Sequence, residues 1–352
     1  WDRTNYFEQV PSNQLELGLW LESDRMGTLT ETLTQEKLDN QREVVKNERR
    51  QSVDNQPYGT WLEKTQELIY PDSHPYHHSI IGSMVDLSAA SLGDVRSFFK
   101  TYYAPNNAVL VVAGDIDVPQ AKEMVRKYFG PILRGPAPPK LANMSVPTVI
   151  GHEQRVVIQD ALAPAPRIFV AYRVPPARDR RAAAVSLLST IIGGGSSSRL
   201  DESLVRRQEI ATSVSAFNFE LIDGADIMVV QATGKPGSSP DSLERALLAE
   251  LAGISSFTQA EFERARASAR FQFVDGLQTT GGFGGRADRL AEGWTFFHDA
   301  NHVNDVLGEI DRVKLADLDA LARERLVPAN RAILVYVPTK KTASETASGG
   351  VN

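Results

Sequence analysis

The sequence contains no cysteine, so it forms no disulfide and offers no thiolate nucleophile, and any metal must be held by His, Asp or Glu. It also has no apolar run of the roughly 18 residues that a membrane-spanning helix needs, so we expect no membrane span. The 38 basic residues are outnumbered by 44 acidic ones, which gives a formal net charge of −6. Because nucleic acids bind clustered positive charge, this balance argues against nucleic acid as a partner.

The two ends of the sequence lead to separate expectations. The opening residues, WDRTNYFEQV, include no initiator methionine, basic segment or apolar signal core, and we therefore expect the natural N-terminus to lie upstream of Trp1. Residues 340–352 are small and polar, which predicts a disordered tail or the start of a linker.

The length of 352 residues predicts two domains or one large one, and a proline-rich segment favours a boundary between two. Residues 134–147, RGPAPPKLANMSVP, contain a proline cluster that predicts a stiff, extended linker. This division gives a first domain over 1–133 and a second over 148–339.

A pattern of helix, Pro-x-Asn turn and apolar strand closes both halves, at 92–113 and again at 315–337. Two copies of one unit follow from this similarity. The pattern predicts an α+β fold of two related domains, each a mainly antiparallel sheet covered by helices on one face. In the first half it predicts strands at 4–10 and 108–113.

Glu48 is the first candidate site residue. The spacing predicts a helix over 35–50 that places Glu48 on one stripe with Leu38 and Val45. A carboxylate on an apolar stripe is costly unless it is paired, hydrogen-bonded or bound to a metal. The pattern leaves two interpretations open, an ion pair with an arginine such as Arg49 and a metal ligand.

Histidines provide a second candidate. On a helix, the four-residue spacing of His298 and His302 would place both rings on one face beside Asp299, as in a zinc hydrolase. The surrounding sequence instead favours a loop that enters a helix at 301 or 304. The segment HPYHH, which carries the remaining closely spaced histidines, predicts a turn with exposed rings, because Pro75 disfavours a helix there. Its histidines are His74, His77 and His78.

Glycine clusters at 193–195 and 281–285 fit no phosphate-binding motif. The first follows an apolar helix, which predicts a helix stop and a tight turn. The second predicts a mobile loop that contacts substrate. The G-x-S-x-G motif of serine hydrolases is absent.

The segment REVVKNERRQSVDNQPYG, with DRTNYFEQVP before it and HPYHHSIIGSMVDLSAASLGDVRSFFKTYYAPNNAVLVVAGDID after it, resembles the pitrilysin/insulinase family of zinc metallopeptidases, in its bacterial branch similar to mitochondrial processing peptidase. The segment IIGGGSSSRLDESLVRRQEIATSVSAF is similar to the accompanying non-catalytic domain of that family. The resemblance covers nearly the whole chain.

The resemblance implies a zinc site to which this chain contributes only one ligand. Family members bind zinc through two histidines of an H-x-x-E-H motif, whose Glu is the general base, and through a downstream Glu that corresponds to Glu48. No H-x-x-E-H occurs in the chain, and the family places it upstream of Trp1. The chain alone is therefore expected to lack catalytic residues and to be inactive.

The sequence departs from the family pattern in two places. Gln41 stands where the family usually has an acidic residue that supports the ligand Glu. In the second domain, Val205 and Thr212 occupy the positions of an Arg and a Tyr that bind the substrate backbone, so the resemblance implies that another unit supplies those roles.

Two biological interpretations follow from the resemblance. In the first, the chain is part of a zinc metalloendopeptidase that hydrolyses peptides with zinc-activated water, inside a closed chamber completed by a second two-domain unit, fused or separate. In the second, it belongs to a catalytically silent structural or partner subunit. The absence of cysteine and the bacterial resemblance favour a periplasmic location.

Overall fold

A computed structural model describes residues 1–141 and 144–339. The α+β class is confirmed, with helices along the whole chain and one five-stranded sheet in the second half of the described residues. The α-helices are α1 Leu15–Thr32, α2 Gln35–Arg49, α3 Trp61–Ile69, α4 Met84–Ala89, α5 Leu92–Tyr102, α6 Val118–Phe129, α7 Ala182–Gly193, α8 Pro240–Ala252, α9 Gln259–Gly276, α10 Arg286–Phe297, α11 Val306–Arg312 and α12 Leu315–Arg325. The strands are β1 Gln154–Asp160, β2 Arg167–Val174, β3 Ala211–Asn218, β4 Asp226–Gly234 and β5 Arg331–Pro338.

The sheet has the strand order β1-β5-β2-β4-β3. Only the β1–β5 pair is parallel, and the other three pairs are antiparallel, as the sequence predicts for a mainly antiparallel sheet. In the middle of the sheet, Val170 lies opposite Val230 on one side and Ile333 on the other. These central strands are buried almost throughout, because both faces of the sheet are covered.

The first face of the sheet is covered by helices of the second half. Apolar residues of α7, α8, α9 and α12 pack with alternate residues of the central strands in one core cluster. In α7 eight of the twelve residues are buried and none is exposed, which explains why its sequence is mostly apolar on all sides. The glycine run ends this helix at Gly193 as predicted, and Gly195 has a φ of 96° in the turn that follows.

The second face is covered by α3 and its flanking loops, which come from the first half of the chain. Trp61 stacks on Phe169 of β2 with ring centroids 4.9 Å apart. Tyr58 meets Tyr336 of β5 edge to face at 5.8 Å, and Ile69 is fully buried in the same cluster. The prediction that helices cover only one face of the sheet is therefore wrong. Aromatic residues of the first half bury the opposite face.

In the first half, the expected strands at 4–10 and 108–113 are wrong. Both segments contain neither helix nor strand, and neither has a ladder partner among the described residues. Alternating and apolar patterns predict extended backbone, whereas a strand also requires a neighbour with which to exchange hydrogen bonds. Val109 and Leu110 consequently remain exposed, at 37% and 44%.

The described part of the proline-rich segment 134–147 contains neither helix nor strand. Its far end is fixed to β2 by buried Arg173, whose Nη1 donates to the carbonyl oxygens of Pro147 and Val149, both at 3.2 Å. The same guanidinium donates through Nε to the carbonyl oxygen of Ile69 at 2.8 Å. One side chain thus joins the end of α3, the linker and the sheet. The expected tail at 340–352 lies outside the described residues.

Candidate functional site

Glu48 lies in the last turn of α2. The helix begins where the sequence predicts, because the Thr34 hydroxyl accepts a hydrogen bond from the Lys37 N–H and caps the first turn. Leu38 is buried, Val45 is half-buried and Glu48 is exposed. The stripe is therefore apolar only at its beginning, and Glu48 faces solvent rather than a core.

Arg49 fixes this end of α2 to α3. Its guanidinium makes a two-pronged ion pair with Glu63, with Nη1–Oε1 and Nη2–Oε2 distances of 2.5 and 3.0 Å, and Nη1 also donates to the carbonyl oxygen of Gly82 at 2.8 Å. The interpretation that pairs Glu48 with Arg49 is wrong, since Arg49 is committed to Glu63. The pair raises the pKa of Arg49, chiefly through the hydrogen bond that its guanidinium donates to Glu63.

The other cations beside Glu48 also have acceptors of their own. Lys46 pairs with Glu43 at 3.0 Å, and Arg50 donates to the Asn47 side chain at 2.5 Å. Among the described residues the Glu48 carboxylate has no hydrogen-bond or ion-pair partner, although its backbone oxygen accepts from Ser52 at 2.7 Å. An exposed carboxylate on an anchored helix is free to bind a cation.

A π-helical turn, Arg50–Asp54, directly follows Glu48. Such wide turns are rare and occur often at functional sites, and here the turn ends α2 immediately after the candidate ligand. The sequence contains no proline or glycine at this point, so propensity gives no signal for it.

Gln41 lies on α2 two turns before Glu48, on the same side of the helix and also exposed. The seven-residue separation corresponds to about 10 Å along the helix axis. Direct contact between the two side chains would require both to bend along the helix surface, so any influence of Gln41 on Glu48 would pass through another group.

The described residues do not complete a metal site around Glu48. Across 1–141 and 144–339, no three His, Cys, Asp or Glu side chains come together in a group that could hold a metal ion. A carboxylate oxygen suits zinc, but a zinc centre in a peptidase uses three protein ligands. The residues present therefore fit one position of a zinc shell and leave the remaining ligands to residues other than those described.

The HDANH segment does not form the helical histidine pair. Helix α10 ends at Phe297, and His298 follows in the left-handed conformation with a φ of 55°. His302 lies in a separate 3-10 turn and stacks on Phe297 at 3.8 Å, while the Asp299 carboxylate accepts the N–H of Asn301 at 2.8 Å. His298, Asp299 and His302 therefore do not lie together on one helix face. This agrees with the prediction of a loop in this segment.

The HPYHH segment forms the expected turn, but the expected exposure of all its rings is wrong. His74 is buried, stacks on Tyr70 at 4.7 Å, and accepts the Tyr76 N–H at Nδ1. Its Nε2 lies 3.1 Å from the carbonyl oxygen of Met144 in the linker. Burial lowers the pKa of His74 and favours its neutral form.

One buried carboxylate was not predicted from the sequence. Asp226 opens β4, and its oxygens accept hydrogen bonds that hold the β3–β4 connection. Burial raises the pKa of Asp226 to about 7 against the opposing effect of these donors. Asp226 lies in the apolar segment ADIMVV, which indicates that the residue is buried. The segment does not indicate which groups donate hydrogen bonds to it. The donors are the Asn218 side chain and the backbone N–H groups of Glu220, Leu221 and Ile227.

The second-domain positions that depart from the family pattern lie near β3. Val205 is half-buried and packs against the core cluster on the first face of the sheet. Thr212 is exposed on β3, and its hydroxyl donates to the carbonyl oxygen of Thr233 at 3.1 Å. Neither side chain presents a charged or aromatic group for a peptide.

Among the described residues, no helix has both the length and the apolarity that crossing a membrane requires.

Two curated relatives align with almost the whole chain. The zinc protease PqqE of Helicobacter pylori is 28% identical over 328 residues, which cover 92% of this chain and 71% of the relative. The uncharacterized zinc protease ML0855 of Mycobacterium leprae is 28% identical over 348 residues, covering 97% of this chain and 75% of the relative. A crystal structure of a protease from Helicobacter pylori superimposes with a TM-score of 0.83 at 25% identity, covering 94% of this chain and 78% of that one.

Residues 89–269 match the family described as the peptidase M16 inactive domain. The match begins at the end of α4, crosses the proline-rich segment and ends within α9. It thus joins parts of both proposed domains, and it bears out the resemblance found in the sequence. The chain belongs to the peptidase M16 inactive-domain family.

Proposed function

We propose that the chain is part of a zinc-dependent metalloendopeptidase, in which Glu48 is the third zinc ligand. The observation that carries this proposal is the exposed, unpaired Glu48 carboxylate at an anchored helix end, although three cations lie within two residues of it. Membership of the peptidase family and relatives named zinc proteases support the same assignment.

Glu48 would contribute a negatively charged oxygen, and the Arg49–Glu63 pair would keep its helix in place against α3. When bound, zinc in such a site lowers the pKa of a water molecule and polarises a peptide carbonyl. Gln41 would tune the surroundings of the site as a neutral group. The two histidines and the general-base Glu would come from an upstream H-x-x-E-H motif, so this chain alone would not cleave peptides.

The domain division at 134–147 remains our proposal, and an internal similarity supports it. In α5 and its following turn, the Asn107 side chain donates to the carbonyl oxygen of Tyr102 at 2.9 Å. In α12 and its following turn, Asn330 donates to the carbonyl oxygen of Arg325, also at 2.9 Å. The same asparagine-to-carbonyl hydrogen bond thus precedes segment 108–113 in one half and strand β5 in the other.

These two segments differ in their surroundings. β5 pairs with β1 and β2, and its residues are buried, whereas 108–113 leaves apolar side chains in solvent. We infer that 1–133 is a portion of a catalytic domain related to 148–339 and that 108–113 belongs to the sheet of that domain. Helix α3 belongs to the first domain by its position in the sequence, but it packs on the sheet of the second half.

The remaining parts of the proposal concern partners and location. A peptide would be the substrate, and a second two-domain unit, fused or separate, would close the chamber and supply the substrate contacts that Val205 and Thr212 do not provide. A periplasmic location in a bacterium suits a chain without cysteine.

A second candidate function is a catalytically silent subunit. It is favoured by the matched family, whose description is an inactive domain. The encoded sequence upstream of Trp1 separates the candidates: an H-x-x-E-H motif there supports the peptidase, and its absence supports the silent subunit.

The proposed division of the zinc site can be tested with the 352-residue chain itself. After dialysis against micromolar zinc, we expect the chain to retain far less than one zinc per molecule and to leave unstructured peptides intact. Zinc content is measured by elemental mass spectrometry, and cleavage by product mass with and without a chelator. Stoichiometric zinc together with chelator-sensitive cleavage would overturn the proposal that the other ligands lie elsewhere.

A further inference from the structure

The N-terminal arm, residues 1–10, contacts both halves of the chain. Three of its side chains contact the glycine loop 281–285 and α10. Arg3 Nη2 is 3.1 Å from Asp288 Oδ2, and Asn5 Nδ2 donates to Asp288 Oδ1 at 2.7 Å. Phe7 meets Phe283 edge to face at 5.4 Å. These three side chains therefore bind the arm to the second half.

Tyr6 and Glu8 bind the arm to the first half. The ring of Tyr6 lies 4.4 Å from the guanidinium carbon of Arg25 in α1, and its hydroxyl reaches that of Tyr103, just after α5, at 3.5 Å. Glu8 approaches Arg25 at 3.9 Å.

Asp2 contacts both halves, because its carboxylate accepts hydrogen bonds from the Tyr76 hydroxyl and, at 3.4 Å, from the Ile222 N–H. The arm thus connects the two halves of the molecule.

Asp288 connects the arm to the glycine loop. Besides Arg3 and Asn5, its carboxylate accepts the backbone N–H of Gly284 at 2.8 Å, and its side chain is only 8% exposed. It lies in the first turn of α10, where the helix dipole also favours a negative charge. One nearly buried carboxylate therefore holds two side chains of the arm and one backbone group of the loop.

The glycine loop has few other contacts at its tip. Added Cβ atoms at Gly281, Gly282 and Gly284 would meet nothing within 4 Å, and the last two have φ values of 75° and 77°. Phe283 is 73% exposed despite its contact with Phe7. A loop of this composition has a large conformational entropy to lose, so the few contacts that hold it determine how often it opens.

We propose that the N-terminal arm is a strap that holds the glycine loop against α10 and couples its opening to the contact between the two halves. When the arm leaves Asp288, the loop loses the Phe7 contact and the charge-assisted bonds that keep the Asp288 carboxylate in place. The inference goes beyond the zinc chemistry proposed above and does not depend on it.

Hydrogen–deuterium exchange of the 352-residue chain tests the strap. We expect Arg3→Ala with Asn5→Ala to raise the exchange rate of the peptide covering 279–287 by about tenfold, the factor that corresponds to the loss of a charge-assisted hydrogen bond. Asp288→Ala should have the same effect. Thr295→Ala is the matched control, because Thr295 lies exposed on the same helix and its hydroxyl donates to the carbonyl oxygen of Ala291 rather than to the arm or the loop.

Protection of the β2 peptide 167–174 must stay unchanged, which shows that the variants remain folded. If the arm variants disturb folding, Phe7→Ala gives a milder test that leaves all the hydrogen bonds of Asp288 in place and should still raise exchange in the loop. Faster loop exchange in Asp288→Ala alone, with arm variants like the wild type, would overturn the proposal, because Asp288 would then hold the loop without the arm. Unchanged loop exchange in all variants would overturn it as well.

Discussion

Neighbouring residues Glu48 and Arg49 differ in what their charges contact. Arg49 is fixed by Glu63 and Gly82, whereas the Glu48 carboxylate is exposed and has no partner among the described residues. Exposed ion pairs contribute little to stability, so an unpaired surface carboxylate costs the fold little and remains available to a ligand. Arg49 thus holds α2 against α3, while the carboxylate of Glu48 remains available to a ligand.

At the same scale, the raised pKa of Asp226 predicts that the free energy of unfolding depends on pH. Its pKa is raised by burial to about 7, above the value of an exposed aspartate, so the folded state binds a proton more tightly than the unfolded state does. The resulting stabilisation is fully present below about pH 4 and is lost as the pH rises to about 7. The β3–β4 connection should therefore be firmer in mild acid.

Urea unfolding of the wild type and Asp226→Asn between pH 5 and 8 measures this effect. The variant stays neutral, so the free energy of unfolding of the wild type should fall relative to that of the variant as the pH rises toward 7, and the difference should then level off. Titration of His74 and the other groups is common to both proteins. A difference that stays constant with pH would contradict the raised pKa.

At the scale of elements, the sequence predicted the helix over 35–50 and the helix that opens each of the segments 92–113 and 315–337, and these are α2, α5 and α12. Caps and turn residues mark the ends of α5 and α12. The short helix α4 was not predicted, and neither was the π-helix Asp201–Arg207. Local signals predict where a helix begins and ends but do not reliably predict its hydrogen-bonding pattern.

Tertiary partners account for the larger errors. The segment 108–113 is as apolar as β5, yet only β5 has neighbouring strands among the described residues. His74 is buried by Tyr70 nearby and by Met144, which is far away in sequence. For the candidate site, the sequence located Glu48 through a family resemblance, but it did not predict that Glu48 is exposed or that Arg49 binds Glu63.

The packing of α3 on the sheet gives a prediction at this scale. Ile69 is fully buried between α3 and the second-half strands, so Ile69→Ala should lower the free energy of unfolding by about 2–5 kcal/mol. Glu67→Ala on the exposed side of the same helix should change it by less than about 0.5 kcal/mol. Denaturant unfolding compares the two variants, and equal effects would contradict the role of α3 as a cover of the sheet.

At the scale of the whole molecule, the contacts that join the two halves of the described chain include those of α3, Arg173 and the N-terminal arm. The aromatic face of α3 packs on the sheet, Arg173 binds both α3 and the linker, and the N-terminal arm lies along the seam. Glu48 is linked to this assembly through Arg49 and α3. The family assignment rests on residues 89–269, which cross the same junction. Glu48 would therefore be positioned by the joined halves.

The central claim is that Glu48 is a zinc ligand of the longer protein to which this chain is proposed to belong. The most direct measurement is the zinc content of that protein carrying Glu48→Gln, with Glu43→Gln as the control on the same helix. We expect Glu48→Gln to retain less than about one-tenth of a zinc ion per chain and to lose peptide cleavage, because one of three protein ligands is gone. Glu43→Gln should keep both properties. Stoichiometric zinc and undiminished cleavage in Glu48→Gln would contradict the assignment.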